Sequence, residues 1–249
     1  MNHTIETILD HRSVRKFKDI PLEEETVEML VRAAQAASTS SFVQAYTIIG
    51  IEDPVKKRKL ADLAGGQPYV EKNGYFFLFC ADYHRHEELL RTRDTDINVS
   101  TESTEGFMVA VIDAALAAQN MAVAAESSGL GICYIGGIRN KLPEVDALIE
   151  TPDYVLPLFG MAVGYPEKRE GIKPRLPLEA VFHKNQYSKD KAALSEAYQA
   201  YDEIIKAYYQ NRSSASKSMT WTDQMQALLE RSKRQYMKTF VQSKQLDRH

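Results

Sequence analysis

The stretch MVAVIDAALAAQNMAVAAESSGLG, residues 108–131, limits the possible folds most. It is alanine-rich and apolar around most of a helical circumference, and such a helix must be covered nearly all round. It therefore reads as a central buried helix, with Gly129 as its C-terminal cap. It suits a dimer interface, and burial within one monomer explains it nearly as well. Its Asp113 and Glu126 read as acids serving helix packing or salt bridges between subunits. YFFLFCAD, residues 75–82, is almost wholly apolar, as a strand covered on both faces should be.

The other segments arrange themselves around these two. TIETILD predicts a short helix with Thr4 as N-cap and Ile5, Ile8 and Leu9 on one face. Residues 22–38 predict a longer one, in which acids lead into Val27, Leu30, Val31 and Ala34. Further helices are expected at 54–66, opened by Pro54, and in PEVDALIE. YTIIGI at 46–51, ICYIGG and LPLFGMAVGYP at 156–166 read as strands. Residues 91–105 carry few apolar groups and read as a surface loop. After KPRLP, at 173–177, the chain becomes polar and helix-prone, with SEAYQAYDEIIKAYY and DQMQALLERSKRQYMKTF as amphipathic pieces. Trp221 is read as an anchor for this tail, and residues 231–238 as a solvated helix face. The irregular alternation of helices and strands predicts a three-layer α/β or α+β sheet protein. It is expected as one domain over 1–249, with 188–249 a helical C-terminal extension.

With 44% hydrophobic residues in a chain of 249, there is material for one sizeable core or two small ones. A net charge of -3 gives no bulk attraction to nucleic acid or to an anionic membrane. No wholly apolar run approaches the roughly 20 residues of a membrane helix, and the N-terminus shows no secretory pattern. A cytoplasmic protein is expected. Cys80 and Cys133 lie in apolar strands and read as buried, reduced thiols. His84 and His86 form an H-x-H pair without a third ligand, which reads as a surface pair rather than a metal site.

HRSVRKF, residues 11–17, concentrates His11, Arg12, Arg15 and Lys16 where the first helix should end. A guanidinium pair flanking Ser13 suits a phosphate, with backbone N–H groups completing the cradle. Basic residues in a last helical turn also complement the dipole and commonly do only that. A second basic cluster, Lys173 and Arg175, stands around a proline in KPRLP. Two stiff clusters of this kind could converge on one phosphomonoester. Between them Gln67, in GGQPYV, offers an amide that donates and accepts at once, as the edge of a flavin or a uracil-like ring requires. Gly136 and Gly137 let a backbone approach a flat ligand closely. Neither G-x-G-x-x-G nor a P-loop is present.

HRSVRKF, AASTSSFVQ, GGQPYVE, AAQNMAVAAESSGLGICYIGGIRN, VLPLFGMAVGYP, KPRLP and YYQNRSS follow one another in order. This ordered set resembles the flavin reductase/nitroreductase superfamily over essentially the whole chain. It is most similar to the NADPH-dependent, FMN-containing subgroup and its bacillar members. The resemblance implies a nitroreductase-like α+β fold: a central, mostly antiparallel sheet flanked by helices, in a homodimer with FMN sites built from both chains. It implies that His11, Arg12 and Ser13, with Val14 between them and Arg15, serve the phosphate side, and that Arg15 lies nearer the pyrimidine edge. Lys173 and Arg175 match the second phosphate-binding pair, Gln67 the ring-edge residue, and Tyr134, Ile135, Gly136 and Gly137 the strand along the ring. Ser38, Thr39 and Ser40 match a loop at the cofactor, and Phe42 a wall of the substrate pocket. Arg212 and Lys217 fall where the family grips the 2′-phosphate of NADPH. NADPH differs from NADH by that phosphate, so selectivity needs cations on it.

The function expected from the resemblance is transfer of hydride from NADPH through FMN to nitroaromatics, quinones or free flavin by alternating half-reactions. No catalytic side chain and no metal are expected. A non-catalytic flavin- or nucleotide-binding carrier or sensor stands as the alternative, and a purely structural helical protein as a third reading.

Overall fold

A computed structural model describes residues 2–93, 97–210 and 219–249. The first half runs α1 (His3–Leu9), α2 (Glu24–Gln35), β1 (Tyr46–Ile51), α3 (Pro54–Leu63), α4 (Pro68–Glu71), β2 (Tyr75–Asp82), α5 (His84–Arg91), α6 (Asn98–Thr101) and α7 (Thr104–Ser127). The second half runs β3 (Gly131–Ile135), α8 (Leu142–Ile149), β4 (Val155–Gly164), α9 (Lys191–Gln210), α10 (Trp221–Leu229) and α11 (Met237–Ser243).

The two most apolar strands, β2 and β4, lie side by side in the middle of one four-stranded sheet of order β1-β2-β4-β3. All three pairings are antiparallel, with Ile48 opposite Phe79, Phe79 opposite Phe159, and Ile132 opposite Val163. A register shift between Phe79 and Cys80 bends β2. Phe76, Phe77, Leu78, Phe79, Cys80 and Ala81 are all buried, as their unbroken apolar run requires.

Helix α7 packs on this sheet and on α2, burying Ala110, Ala114, Ala117, Ala118, Met121, Ala122 and Ala125. The opposite side of α7 is apolar too, yet Met108, Ile112 and Leu116 stay 51%, 49% and 44% exposed. The helix expected to be covered nearly all round is thus half-covered in one protomer. Length and composition alone would let α7 cross a membrane, but its buried stripe here packs against the sheet and α2.

Several sequence boundaries shift for identifiable reasons. Asn2, not Thr4, caps α1, its side chain accepting from Ile5 N at 3.0 Å. Ile5, Ile8 and Leu9 do not face a core within the protomer; they are exposed. Residues 98–101 are helical rather than a surface loop, and α7 begins at Thr104 because Ser103 caps it by accepting from Gly106 N at 3.0 Å. Buried Glu102 of this stretch pairs with Arg248, 3.1 Å away. Residues 231–236 are not helical: Arg234 has φ +58, and α11 starts only at Met237.

Residues 1–170 with 234–249 form one compact unit, and 171–233 a second. In the first, the C-terminal segment is fastened by Lys244, whose Nζ lies 3.1 Å from Asp146 Oδ1 and donates to Thr151 O at 2.8 Å. In the second, α10 is capped by a reciprocal Thr220–Asp223 pair, and Trp221 packs against Tyr198 and Tyr201 of α9.

Candidate active site

After α1 the HRSVRKF segment runs along the β3 edge of the sheet. Val14 N donates to Ile132 O at 2.8 Å, setting Ser13 beside Ile132 in a parallel bridge, and Phe17 pairs antiparallel with Pro166. Val14 is buried against Gly131, where an added Cβ would stand 2.6 Å from Val14 Cγ2. In extended backbone alternate side chains face opposite ways, so an inward Val14 turns Ser13 and Arg15 outward.

The cations of this stretch divide in their engagement. His11 Nδ1 lies 2.8 Å from Glu126 Oε1. The Arg12 guanidinium pairs with Asp10, donates through Nε to Asp10 O at 3.0 Å, and through Nη1 to Glu170 O at 3.2 Å. A cavity of about 370 Å³ beside it is lined by Asp10, Arg12, Glu126, Gly129, Gly131 and Arg169. An anion entering there shares Arg12 with the Asp10 carboxylate. Arg15 stands over Tyr69, 6.0 Å from the ring centroid.

A polar chain continues from Tyr69. Burial, with the Cys133 thiol beside it, pushes the Tyr69 hydroxyl up, and Arg15 partly offsets this. The phenol therefore keeps its proton and donates to Gln67 Oε1 at 2.5 Å. Gln67 Nε2 donates to Ala64 O at 2.7 Å, which fixes the amide's orientation and leaves a further N–H and a lone pair for a ligand. Asn140 Nδ2 donates to the same Ala64 carbonyl at 3.1 Å. Arg234 then grips Asn140 Oδ1 at 2.8 Å and Gly136 O at 3.0 Å. Gly137 closes the group: a Cβ there would sit 2.4 Å from both Ala64 O and Gln67 Nε2. Only glycine lets this turn lie against Gln67. Tyr134 is partly exposed, with its hydroxyl 3.3 Å from Gln119 Oε1, while Ile135 is buried.

Ser38, Thr39, Ser40 and Phe42 form a separate group. Ser41, Phe42 and Gln44 have φ of +47, +58 and +56, a left-handed conformation costing non-glycine residues on the order of 1 kcal/mol or more each. Buried Asp113 of α7 accepts from Ser40 N and Ala45 N, both at 3.0 Å. His86 Nε2 lies 2.8 Å from Val43 O. His86 is therefore no free surface histidine; its Nδ1 is buried and unpartnered among the described residues. Phe42 is 80% exposed, and the Thr39 hydroxyl is buried without a partner among the described residues.

Lys173 and Arg175 belong to the second unit. Lys173 Nζ stands 5.6 Å from the Tyr209 ring centroid, Arg175 Nη1 donates to Lys173 O at 2.7 Å, and Tyr201 OH donates to Pro174 O at 2.9 Å. Arg212 and Lys217 lie outside the described residues. Among the described residues no cluster of three or more His, Cys, Asp or Glu offers a metal site. Burial pushes both cysteine thiols up, so they stay protonated and inert at neutral pH.

Residues 8–165 match the family described as Nitroreductase family, and residues 173–249 match Nitroreductase family, C-terminal domain. The chain belongs to the nitroreductase family. A Bacillus subtilis relative named FMN reductase (NADPH) is 54% identical over 244 residues, spanning 98% of each chain. A Staphylococcus epidermidis relative named NADPH-dependent oxidoreductase is 46% identical over 235 residues, 94% of this chain and 93% of that one. The solved structure of NfrA1 nitroreductase from B. subtilis superposes with a TM-score of 0.97 at 53% identity, covering 99% of this chain and 100% of that one. A Vibrio harveyi NADPH:FMN oxidoreductase complexed with NAD+ gives 0.89 at 38% identity, with both chains fully covered. The antiparallel α+β sheet expected of this family is the sheet observed.

The donor set of this nitroreductase fits a phosphorylated planar ring. The Arg12 and Arg15 guanidinium groups flank Ser13, the half-satisfied Gln67 amide offers contacts for a polar ring edge, and the glycine turn leaves no side chain against it. Tyr69 and Asn140 lie in GGQPYVE and IGGIRN, where no charge or glycine marks them. Arg234 gave no sequence signal, since its partner Gly136 is 98 positions away.

Proposed function

We infer that this chain is an NADPH-dependent oxidoreductase that uses FMN, acting as a nitroreductase and flavin reductase. Its family and its relatives' names support the chemistry. The observation that carries the site is the continuous chain Arg15–Tyr69–Gln67–Ala64–Asn140–Arg234–Gly136 around one glycine turn.

FMN, when bound, supplies the two-electron chemistry, accepting hydride from NADPH and passing electrons to an acceptor. Gln67 holds the polar edge of the ring with the N–H and lone pair left to it. Arg15 would place a positive charge at that edge, where it would stabilise negative charge on a bound ring. Gly136 and Gly137 present backbone instead of side chain, which would leave room for a planar ring beside the turn. His11, Arg12 and Ser13 hold the phosphate, and Lys173 and Arg175 are assigned as a further phosphate-binding pair. Arg212 and Lys217 select NADPH by its 2′-phosphate. NADPH and the acceptor occupy the same open face in turn, giving ping-pong kinetics with nitroaromatics, quinones or free flavin. We place the enzyme in the cytoplasm, in keeping with two unpaired thiols.

The working unit in this reading is a homodimer. Met108, Ile112 and Leu116 of α7 are exposed, and so are Ile5, Ile8 and Leu9 of α1. A second copy covers this apolar surface and brings its Ser38–Phe42 loop to the Gln67–Gly137 group, completing each site.

Anaerobic titration tests the function. The purified protein should carry a yellow chromophore that bleaches on addition of NADPH. A protein that takes up no FMN, or whose bound FMN NADPH leaves unbleached, overturns the reading. Equal bleaching rates with NADH overturn the role of Arg212.

A further inference from the structure

Asp113 stands out as the one acid that α7 buries completely, in the middle of its alanine stripe. Its two oxygens accept from Ser40 N and Ala45 N, both at 3.0 Å. These amides bracket a loop in which Ser41, Phe42 and Gln44 all hold positive φ. Three further contacts from β2 and α5 hold this loop and the start of β1 that follows it. Asp82 N donates to Ala45 O at 3.0 Å, His86 Nε2 lies 2.8 Å from Val43 O, and Arg85 Nη2 donates to Tyr46 O at 2.8 Å.

A left-handed run of non-glycine residues persists only where surrounding contacts over-determine it. Here the result is a phenylalanine, Phe42, held 80% exposed rather than folded inward. Ordinary packing gives no return for that arrangement. The carboxylate is also chemically specific. Two N–H donors need an acceptor on each oxygen, and an amide side chain would turn its NH₂ toward one of them.

We propose that Asp113 is a positioning residue that presets the Thr39–Gln44 loop, and through it Phe42, as the wall deciding which planar acceptors enter. This deepens the functional reading above and rests on its placement of Phe42 at the acceptor face. His86 acts in the same clamp from α5, which gives the H-x-H pair a role outside metal binding.

The test uses the FMN-loaded enzyme and two acceptors: a naphthoquinone, which must stack, and ferricyanide, which takes electrons without stacking. In Asp113→Asn the Ser40 and Ala45 amides lose hydrogen-exchange protection. kcat/KM for the quinone falls about tenfold, while that for ferricyanide changes less than about twofold. His86→Leu moves the quinone in the same direction, and His86→Gln, which retains a donor for Val43 O, restores it. This second pair of variants keeps the proposal testable if Asp113→Asn does not fold. Equal losses for both acceptors, or a lower Tm with an unchanged acceptor ratio, overturn it. A wild-type enzyme whose FMN NADPH does not reduce overturns the functional reading instead, a result read before any variant is made.

Discussion

At the scale of single residues, the site is built from side chains whose orientation is fixed by partners, leaving a defined remainder for a ligand. Gln67 is the clearest case: Tyr69 and Ala64 settle which end of the amide donates. Arg15→Ala removes the positive charge at that edge, and its FMN dissociation constant should rise by about tenfold to a hundredfold, the usual size of a lost charge-assisted contact. Fluorescence titration of the apoprotein measures this, and unchanged affinity together with an unchanged reduction potential contradicts the role. Gly137→Ala drives a methyl group into Ala64 O and Gln67 Nε2, each 2.4 Å away. The turn must shift, so that variant should lose FMN affinity together with a few degrees of Tm. Residue types in HRSVRKF, GGQPYV and YIGG were legible because charge, amide and glycine carry their chemistry in any context. Arg12 was legible as a cation but not as a partner of Asp10, since its rotamer follows from the carbonyl of Glu170 across the fold.

Elements were read best where one physical signal dominates. β1 and β2 fall at 46–51 and 75–82 as expected, because runs rich in aromatic and β-branched or other apolar residues mark them as strands. Helix ends moved wherever a cap or a distant partner decided them, as at Asn2, Ser103 and Arg234. The core of β2 should be intolerant of truncation: Phe77→Ala should cost about 3–5 kcal/mol in urea unfolding. The start of α7 carries a pH-dependent feature. Tyr83 donates to Gly106 O at 3.0 Å, and burial, helped by the charges of Asp113 and Glu105, pushes its hydroxyl up from the ordinary 10.0 to about 12. The native state holds that proton more tightly than the unfolded chain does. The contribution is intact below pH 10 and is lost as pH rises from 10 toward 12. Urea midpoints measured across that window should fall less steeply in Tyr83→Phe than in wild type; parallel slopes contradict the assignment.

On the scale of the whole molecule, the exposed apolar faces of α1 and α7 are what a single protomer leaves unfinished. Ile112→Glu places a charge in that surface. It should convert a species of about twice 28.2 kDa into one of 28.2 kDa by sedimentation, with loss of FMN in the same step. A wild-type protein that sediments at the single-chain mass removes the dimer from the proposal. The sequence by itself determined the sheet strands, the alanine-rich central helix, the kinds of donor offered to an anion and to a planar ring, and the family. Each of these is written in local composition, period or ordered motif, which survives without coordinates. Only the tertiary structure decided that Asp113 clamps the strained loop at Phe42, that Arg234 holds the glycine turn, and that α7 is covered on one side alone. Those depend on partners brought together from positions as far as 98 apart in the chain, and no local pattern encodes which distant carbonyl or amide a side chain will meet.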